Sequence, residues 1–167
     1  LFFSLRYLSF DNIEDDNKAS VAAATGLLFG FLGILTGMIW ARYTWGSWWV
    51  RDPQLNGAVV AMMAYMAYFL LRSSMPDEIR AAKLSAVYNI LSFIIMLVFI
   101  GVLPRLSMGS LHPGSTSEPG MSIVGMNAAM RQVFYPALLG WILIGLWIWD
   151  LGCRYRKLKN LFFEEYE

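Results

Sequence analysis

Val21-Ala-Ala-Ala-Thr-Gly26-Leu-Leu-Phe-Gly30-Phe-Leu-Gly33-Ile-Leu-Thr36-Gly37-Met-Ile-Trp40 is a run of 20 residues without one charged side chain. At about 1.5 Å per residue, such a run wound as an α-helix reaches roughly 30 Å, the thickness of a bilayer's hydrocarbon core. Nothing in lipid can bond a stray backbone N–H or C=O, so a helix is the conformation open to it. Three more uncharged runs follow, Leu55–Leu71, Leu84–Leu103 and Val133–Trp149, of 17, 20 and 17 residues. The whole chain agrees: 57% of its 167 residues are apolar and 15% are charged, where a soluble domain carries about 25% charged. The sequence predicts an all-α, polytopic transmembrane helix bundle with four full spans, forming a single domain over residues 1–167. The opening Leu1-Phe-Phe-Ser-Leu-Arg6-Tyr7 reads as the last turns of a helix leaving the bilayer. It is expected to be the tail of a preceding span in an N-terminally truncated chain.

The cations orient the bundle. Arg6 and Lys18 precede the first full span, Arg72, Arg80 and Lys83 join spans two and three, and Arg154, Arg156, Lys157 and Lys159 follow the fourth. These nine of the 13 basic residues alternate onto one side; Arg42, Arg51, Arg105 and Arg131 fall on the other. By the positive-inside rule the richer side is cytoplasmic, with residues 154–167 as a cytoplasmic tail. The acidic run Asp11 to Asp16 dilutes the first basic group without reversing the bias. Two outer connections result, a Trp-rich loop at 40–54 and a long Gly/Ser/Pro-containing loop at 105–131 that bears a histidine.

Composition excludes several functions. The net charge of +1 and the apolar bulk give no footing for nucleic acid. The lone Cys153 permits no internal disulfide, CxxC pair or thiolate metal site. None of the four spans carries a carboxylate, Lys, Arg or His, where ion-coupled transporters place theirs. No G-x-x-x-x-G-K-[ST] stretch is present to cradle ATP phosphates. Gly26, Gly30, Gly33 and Gly37 share one face of the first full span, a spacing that lets a neighbouring helix approach closely. Met62, Met63 and Met66 on the second span read as apolar filling.

Trp40, Tyr43, Trp45, Trp48 and Trp49 crowd into ten residues. An interfacial aromatic belt accounts for rings at headgroup level. It does not require the interleaved Gly46, Arg51 and Asp52. The alternative is an apolar platform for a planar ligand with acidic groups on one edge: indole faces cover the plane, arginine bonds a carboxylate in bidentate fashion, and Gly46 permits close backbone approach. Asp52-Pro53 is equally an N-cap followed by proline at the first helical position, so Asp52 has a structural reading beside the ligand one.

The stretch Thr36-Gly37-Met-Ile-Trp40-Ala41, then Trp45-Gly46-Ser-Trp48-Trp49-Val50, then Asp52 resembles the WWD domain of the haem-handling membrane protein superfamily of cytochrome c assembly. That superfamily takes in the CcmC family and the CcsA-type synthase subunits. The resemblance extends over essentially the whole chain, and the small size suits the CcmC branch better. It implies that haem b is bound transiently at the outer face of the bacterial cytoplasmic (inner) membrane, against Trp45, Gly46, Trp48, Trp49, Arg51 and Asp52. His112, in Leu111-His112-Pro113-Gly114, is similar to the family's Leu-His-Gln-Gly, whose histidine is an axial ligand to the iron, and His112 is the expected metal ligand.

Two departures stand out. Arg51 replaces a tryptophan, and Asp52-Pro53-Gln54-Leu55-Asn56-Gly57 stands where the family has Asp-Ala-Arg-Leu-Thr-Ser. Arg51 is expected to substitute for the arginine lost at Gln54. The family's second histidine lies upstream of the Trp-rich loop and has no counterpart here. The implied partners are a CcmE-type haem chaperone, a CcmA/CcmB-type ABC transporter, a small CcmD-type membrane subunit and the lipid bilayer. The work implied is binding and presentation of haem rather than catalysis; a synthase-type subunit directing covalent haem attachment and a haem-free structural subunit are the alternatives.

Overall fold

The computed structural model describes residues 1–106 and 128–164, and those residues are helical with no strands among them. Helix α1 (Phe2–Phe10) turns sharply into α2 (Ile13–Trp45), and α3 (Pro53–Ser73) and α4 (Glu78–Met96) follow. α4 continues through a π-helical turn, Leu97–Val102, into the short α5 (Leu103–Leu106); α6 (Ala128–Glu164) completes the bundle. Four stretches are long and apolar enough to cross a membrane: Ile13–Trp45, Pro53–Ser73, Glu78–Val102 and Ala128–Phe162. The chain is a multi-pass membrane protein. Three of the four predicted spans lie inside these helices, and the third in order, Leu84–Leu103, overruns its stretch by one residue; elsewhere the helices extend beyond the uncharged runs because local capping sets their ends.

Each start is written in the sequence. Asp11 takes a left-handed φ of 52° at the end of α1, a conformation aspartate tolerates better than most residues. The Asn12 side chain then accepts the Glu14 amide at 3.0 Å and opens α2. Asp77 opens α4 in the same way, accepting from Ile79 at 3.0 Å and Arg80 at 3.3 Å.

Packing is inverted relative to a soluble protein. The buried positions are small or polar: Ala19, Ser20, Ala61, Ala64, Ala82, Ser85, Ala86 and Asn89. Phe31, Leu35, Leu70, Leu91, Trp141 and Leu143 point outward. Lipid satisfies large apolar side chains, while helices gain by close backbone approach and interhelical hydrogen bonds. Asn89 illustrates this, donating to Ser4 Oγ at 2.8 Å between α4 and α1.

The glycine face of α2 differs from expectation. A Cβ at Gly30 would meet the Met62 sulfur on α3, but at Gly26, Gly33 and Gly37 it would meet nothing within 4 Å. Gly26 and Gly30 face a groove of about 250 Å³ that Ala23, Met62 and Tyr65 also line. The close approaches are at Gly57, whose Cβ would overlap the Phe99 backbone carbonyl, and at Gly152 against Val21.

α6 runs antiparallel to α2. Trp141 meets Phe29 edge-on with ring centroids 5.8 Å apart, Trp149 Nε1 donates to the Lys18 carbonyl at 3.1 Å, and Arg156 reaches Asn17 and Ser20. This register carries Ala128 to the level of the last turns of α2. One end of the bundle therefore gathers the α1–α2 corner, the α3–α4 link and the end of α6. The opposite, aromatic end holds the α2–α3 connection, α5 and the start of α6.

At the charged end the acidic run does more than dilute the cations. Asp16, 2% exposed, forms a bidentate pair with Arg72, whose Nη1 lies 2.7 Å from Asp16 Oδ1. Asp15, fully buried, faces Arg6 Nε at 3.0 Å, and Asp11 faces Lys83 at 3.2 Å. These contacts fasten α2 to α1 and α3, and the α1–α2 corner to α4.

Candidate functional site

The Trp-rich region is only partly a loop. Trp40, Tyr43 and Trp45 belong to the last turns of α2, and the irregular segment is 46–52. Trp40 and Trp45 pack edge-on at 4.8 Å and 76°, so the two rings do not form one flat surface. Gly46 closes α2 with φ 75°, where a side chain would be strained. Its carbonyl accepts from the Arg42 guanidinium, which reaches forward from the last turn of the helix. Ser47 Oγ then donates to the Trp49 carbonyl at 2.8 Å.

From the other side, α3 holds the segment. Asp52 is fully buried and its Oδ1 accepts the amides of Gln54 at 2.8 Å and Leu55 at 3.3 Å. Of its two readings from sequence, the N-cap is realised. Trp49 Nε1 donates to Asn56 Oδ1 at 3.3 Å, one turn into α3. Neither Arg42 nor Asn56 is legible as a functional residue from composition. The only local signal is that each stands four residues from the group it serves or in the first turn of a capped helix.

Two side chains are left available. Trp48 is 55% exposed, and Arg51 is exposed and makes no hydrogen bond or ion pair among the described residues. The structure thus gathers Trp45, Gly46, Trp48, Trp49, Arg51 and Asp52 at one end but divides their tasks. Gly46, Trp49 and Asp52 fix the segment; Trp48 and Arg51 are presented by it. An indole face and an unengaged guanidinium suit a planar aromatic ligand with acidic substituents.

His112 lies outside the described residues, as does most of the 105–131 connection. The segment's points of departure are described. The first turn of α3 packs through Gly57 directly on the backbone of Phe99 in the π-helical turn, which leads within a few residues to Leu106. The chain carrying His112 therefore leaves from beside the N-terminus of α3, and it rejoins α6 at the same end. Among the described residues no group of three His, Cys, Asp or Glu is placed to hold a metal ion.

The family model described as CcmC, heme exporter protein C, matches residues 2–160. The chain is 30% identical over 150 residues to heme exporter protein C of Haemophilus influenzae, covering 86% of this chain and 57% of that protein. It is 28% identical over 130 residues to the heme exporter protein C of Paracoccus denitrificans, covering 77% of this chain and 52% of that one. It is also 39% identical over 87 residues to a cytochrome c biogenesis protein CcsA of Prochlorococcus marinus (strain MIT 9303), covering 52% of this chain and 27% of that protein. The chain spans about half the length of the heme exporter C proteins it matches.

Proposed function

The chain belongs to the CcmC family of heme exporter proteins, and from that premise we propose that it binds haem at the outer membrane face and presents it to a periplasmic chaperone during c-type cytochrome assembly. Haem is cargo in this reading. Trp48 covers the porphyrin plane, Arg51 bonds a propionate, and His112 ligates the iron. Trp45, Trp49, Gly46 and Asp52 hold the segment in shape. The CcmE-type chaperone receives the haem, and an ABC transporter of CcmA/CcmB type with a CcmD-type subunit supplies the energy.

The observation that carries this reading is the division within residues 46–52. Arg42, Ser47, Asp52 and Asn56 fix the backbone, yet Trp48 and Arg51 are left exposed and, for Arg51, unpaired. An interfacial belt needs aromatic rings but no pinned loop with an idle arginine. The identity to CcsA proteins favours a second reading, in which the same surface holds haem for covalent attachment to an apocytochrome.

The test is the absorption spectrum of the purified full-length protein beside His112→Ala, Trp48→Ala and Arg51→Ala. Loss of the Soret band or a shift of its position in His112→Ala, and weaker haem retention in the other two, are expected. Unchanged haem content and unchanged chaperone loading in all three variants refute the assignment. Thioether formation on an apocytochrome by this protein without the chaperone selects the synthase reading.

A further inference from the structure

The groove of about 250 Å³ between α2, α3 and α4 has walls of small residues. Ala22 and Gly26 line it from α2, Ala61 from α3, and Asn89, Met96 and Ile100 from α4. A Cβ added at Gly26 would meet nothing within 4 Å, so this wall is uncovered among the described residues. Two polar side chains belong to the lining as well. Asn89 donates to Ser4 Oγ at 2.8 Å, but its own carbonyl oxygen receives no hydrogen bond among the described residues, and neither does the Tyr65 hydroxyl make one. Both residues stand inside uncharged runs, at a depth where hydrocarbon offers a polar group no partner.

The line of α1 selects the occupant. α1 lies antiparallel to α4: Asp11 pairs with Lys83, Tyr7 clusters with Ala82 and Ala86, and Ser4 meets Asn89. Each step back along α1 is thus a step on along α4, and Leu1 itself reaches the groove and lines it. In the same register, a helix continuing α1 upstream would pass Met96 after one turn and Ile100 after two. Hydrocarbon tails gain nothing special from small residues, whereas a helix gains by close backbone approach over them and by interhelical hydrogen bonds. The chain spans 57% and 52% of the two heme exporter C proteins described above, so those proteins carry further chain outside the matched region.

We propose that this groove is the seat of a further transmembrane helix of the full-length protein, one that continues the line of α1 upstream of Leu1. It crosses the bilayer against Gly26, Ala61 and Met96 and presents a polar side chain to Asn89 and Tyr65. The small face of α2 is then an internal packing surface, not a lipid-facing one. The proposal does not depend on haem binding, and its test is read without haem.

Disulfide trapping in membranes that hold the full-length protein, on a Cys153→Ser background, tests it. Met96→Cys is paired with a cysteine one turn upstream of Leu1, and Ile100→Cys with one two turns upstream. Mild oxidation should link each pair within one chain, as mass spectrometry of the joined peptides reads. A disulfide needs Cα atoms within about 7 Å, so the same upstream cysteines should not link to Leu91→Cys, on an outward face of α4 and 48% exposed. Gly26→Leu supplies a second measurement. With a helix in the groove it should lower both the linked yield at Met96→Cys and the thermal unfolding midpoint. Gly33→Leu, equally open within 4 Å but outside the groove, should change neither. Links that join two copies instead of one chain overturn the proposal, because a second copy would then fill the groove. Equal linking at Leu91→Cys and Met96→Cys, or Gly26→Leu as stable as Gly33→Leu, also overturns it, because the groove would then be left to lipid.

Discussion

Replacing Asp52 separates what its carboxylate does for the helix from what its charge does for a ligand. The side chain is fully buried, and Oδ1 accepts two amides at the start of α3. Asparagine keeps that acceptor and ranks with aspartate as an N-cap; alanine removes it, at a cost of about 0.5–2 kcal/mol. The negative charge at the positive end of the helix dipole adds about 0.3–1 kcal/mol. Asp52→Ala is therefore expected to lose about 1–3 kcal/mol and Asp52→Asn less than about 1 kcal/mol. Because α3 also holds Trp49 through Asn56, the alanine variant should loosen the presented segment and, under the proposed function, lose haem with stability. The asparagine variant should keep both. Denaturant unfolding of the full-length protein in mild detergent, followed by tryptophan fluorescence, gives the stabilities, and the Soret band gives the haem. Equal destabilisation by asparagine and alanine would refute the capping argument. An asparagine variant as stable as the wild type but empty of haem would show that the charge acts on the ligand directly.

Four further outcomes follow from the same geometry. Arg72→Ala leaves Asp16 buried without its partner and is expected to cost about 3–5 kcal/mol; pairing it with Asp16→Asn should recover most of that in the same unfolding assay. Gly57→Ser, the residue found in the family pattern, forces the Phe99 backbone to move and should destabilise by about 1–3 kcal/mol, with altered cysteine-labelling rates at probes in 97–106. Trp49→Phe removes the donor to Asn56 and should cost about 1 kcal/mol, visible as a lower unfolding midpoint. Arg51→Ala should leave stability within about 0.5 kcal/mol while shortening haem residence, measured by transfer to an apo-globin acceptor.

The spans and their count were legible because the bilayer imposes a length and a polarity on any helix that crosses it. Val21–Trp40 meets both conditions without reference to the rest of the chain. Asp52-Pro53 was legible as a helix start for a similar reason, since capping is local chemistry. Interhelical partners were not. The glycine spacing on α2 correctly puts four glycines on one face, but spacing does not say what faces them. Only Gly30 meets a neighbour on α3, whereas Gly57, with no repeat around it, abuts the Phe99 backbone. The acidic run Asp11–Asp16 was read through its effect on topology alone. Its pairing with Arg6, Arg72 and Lys83 depends on contacts 9 to 72 residues apart in sequence. In the aromatic segment the residue types were evident, but the division between Asp52, which fixes, and Arg51, which is presented, required burial and hydrogen bonds.

The aromatic end gains its form from the unequal lengths of the two helices it joins. Gly30 lies against Met62, so in an antiparallel pair Pro53 falls opposite Ile39. α2 continues to Trp45, six residues further, or about 9 Å. Residues 46–52 must therefore descend about 9 Å beside the last turns of α2 before α3 can begin. A tight turn would not reach. The descent returns residues 46–52 toward the level of the last turns of α2, where Trp40 and Tyr43 lie. The register behind this arrangement is fixed at the far end by the Asp16–Arg72 pair, where α2 and α3 are joined a second time. A slip of α3 by one turn along α2 would break that buried pair and remove more than half of the descent that sets Trp48 and Arg51 at this depth. The ion pair at the charged end and the placement of the proposed haem surface at the aromatic end are thus two consequences of one helix register.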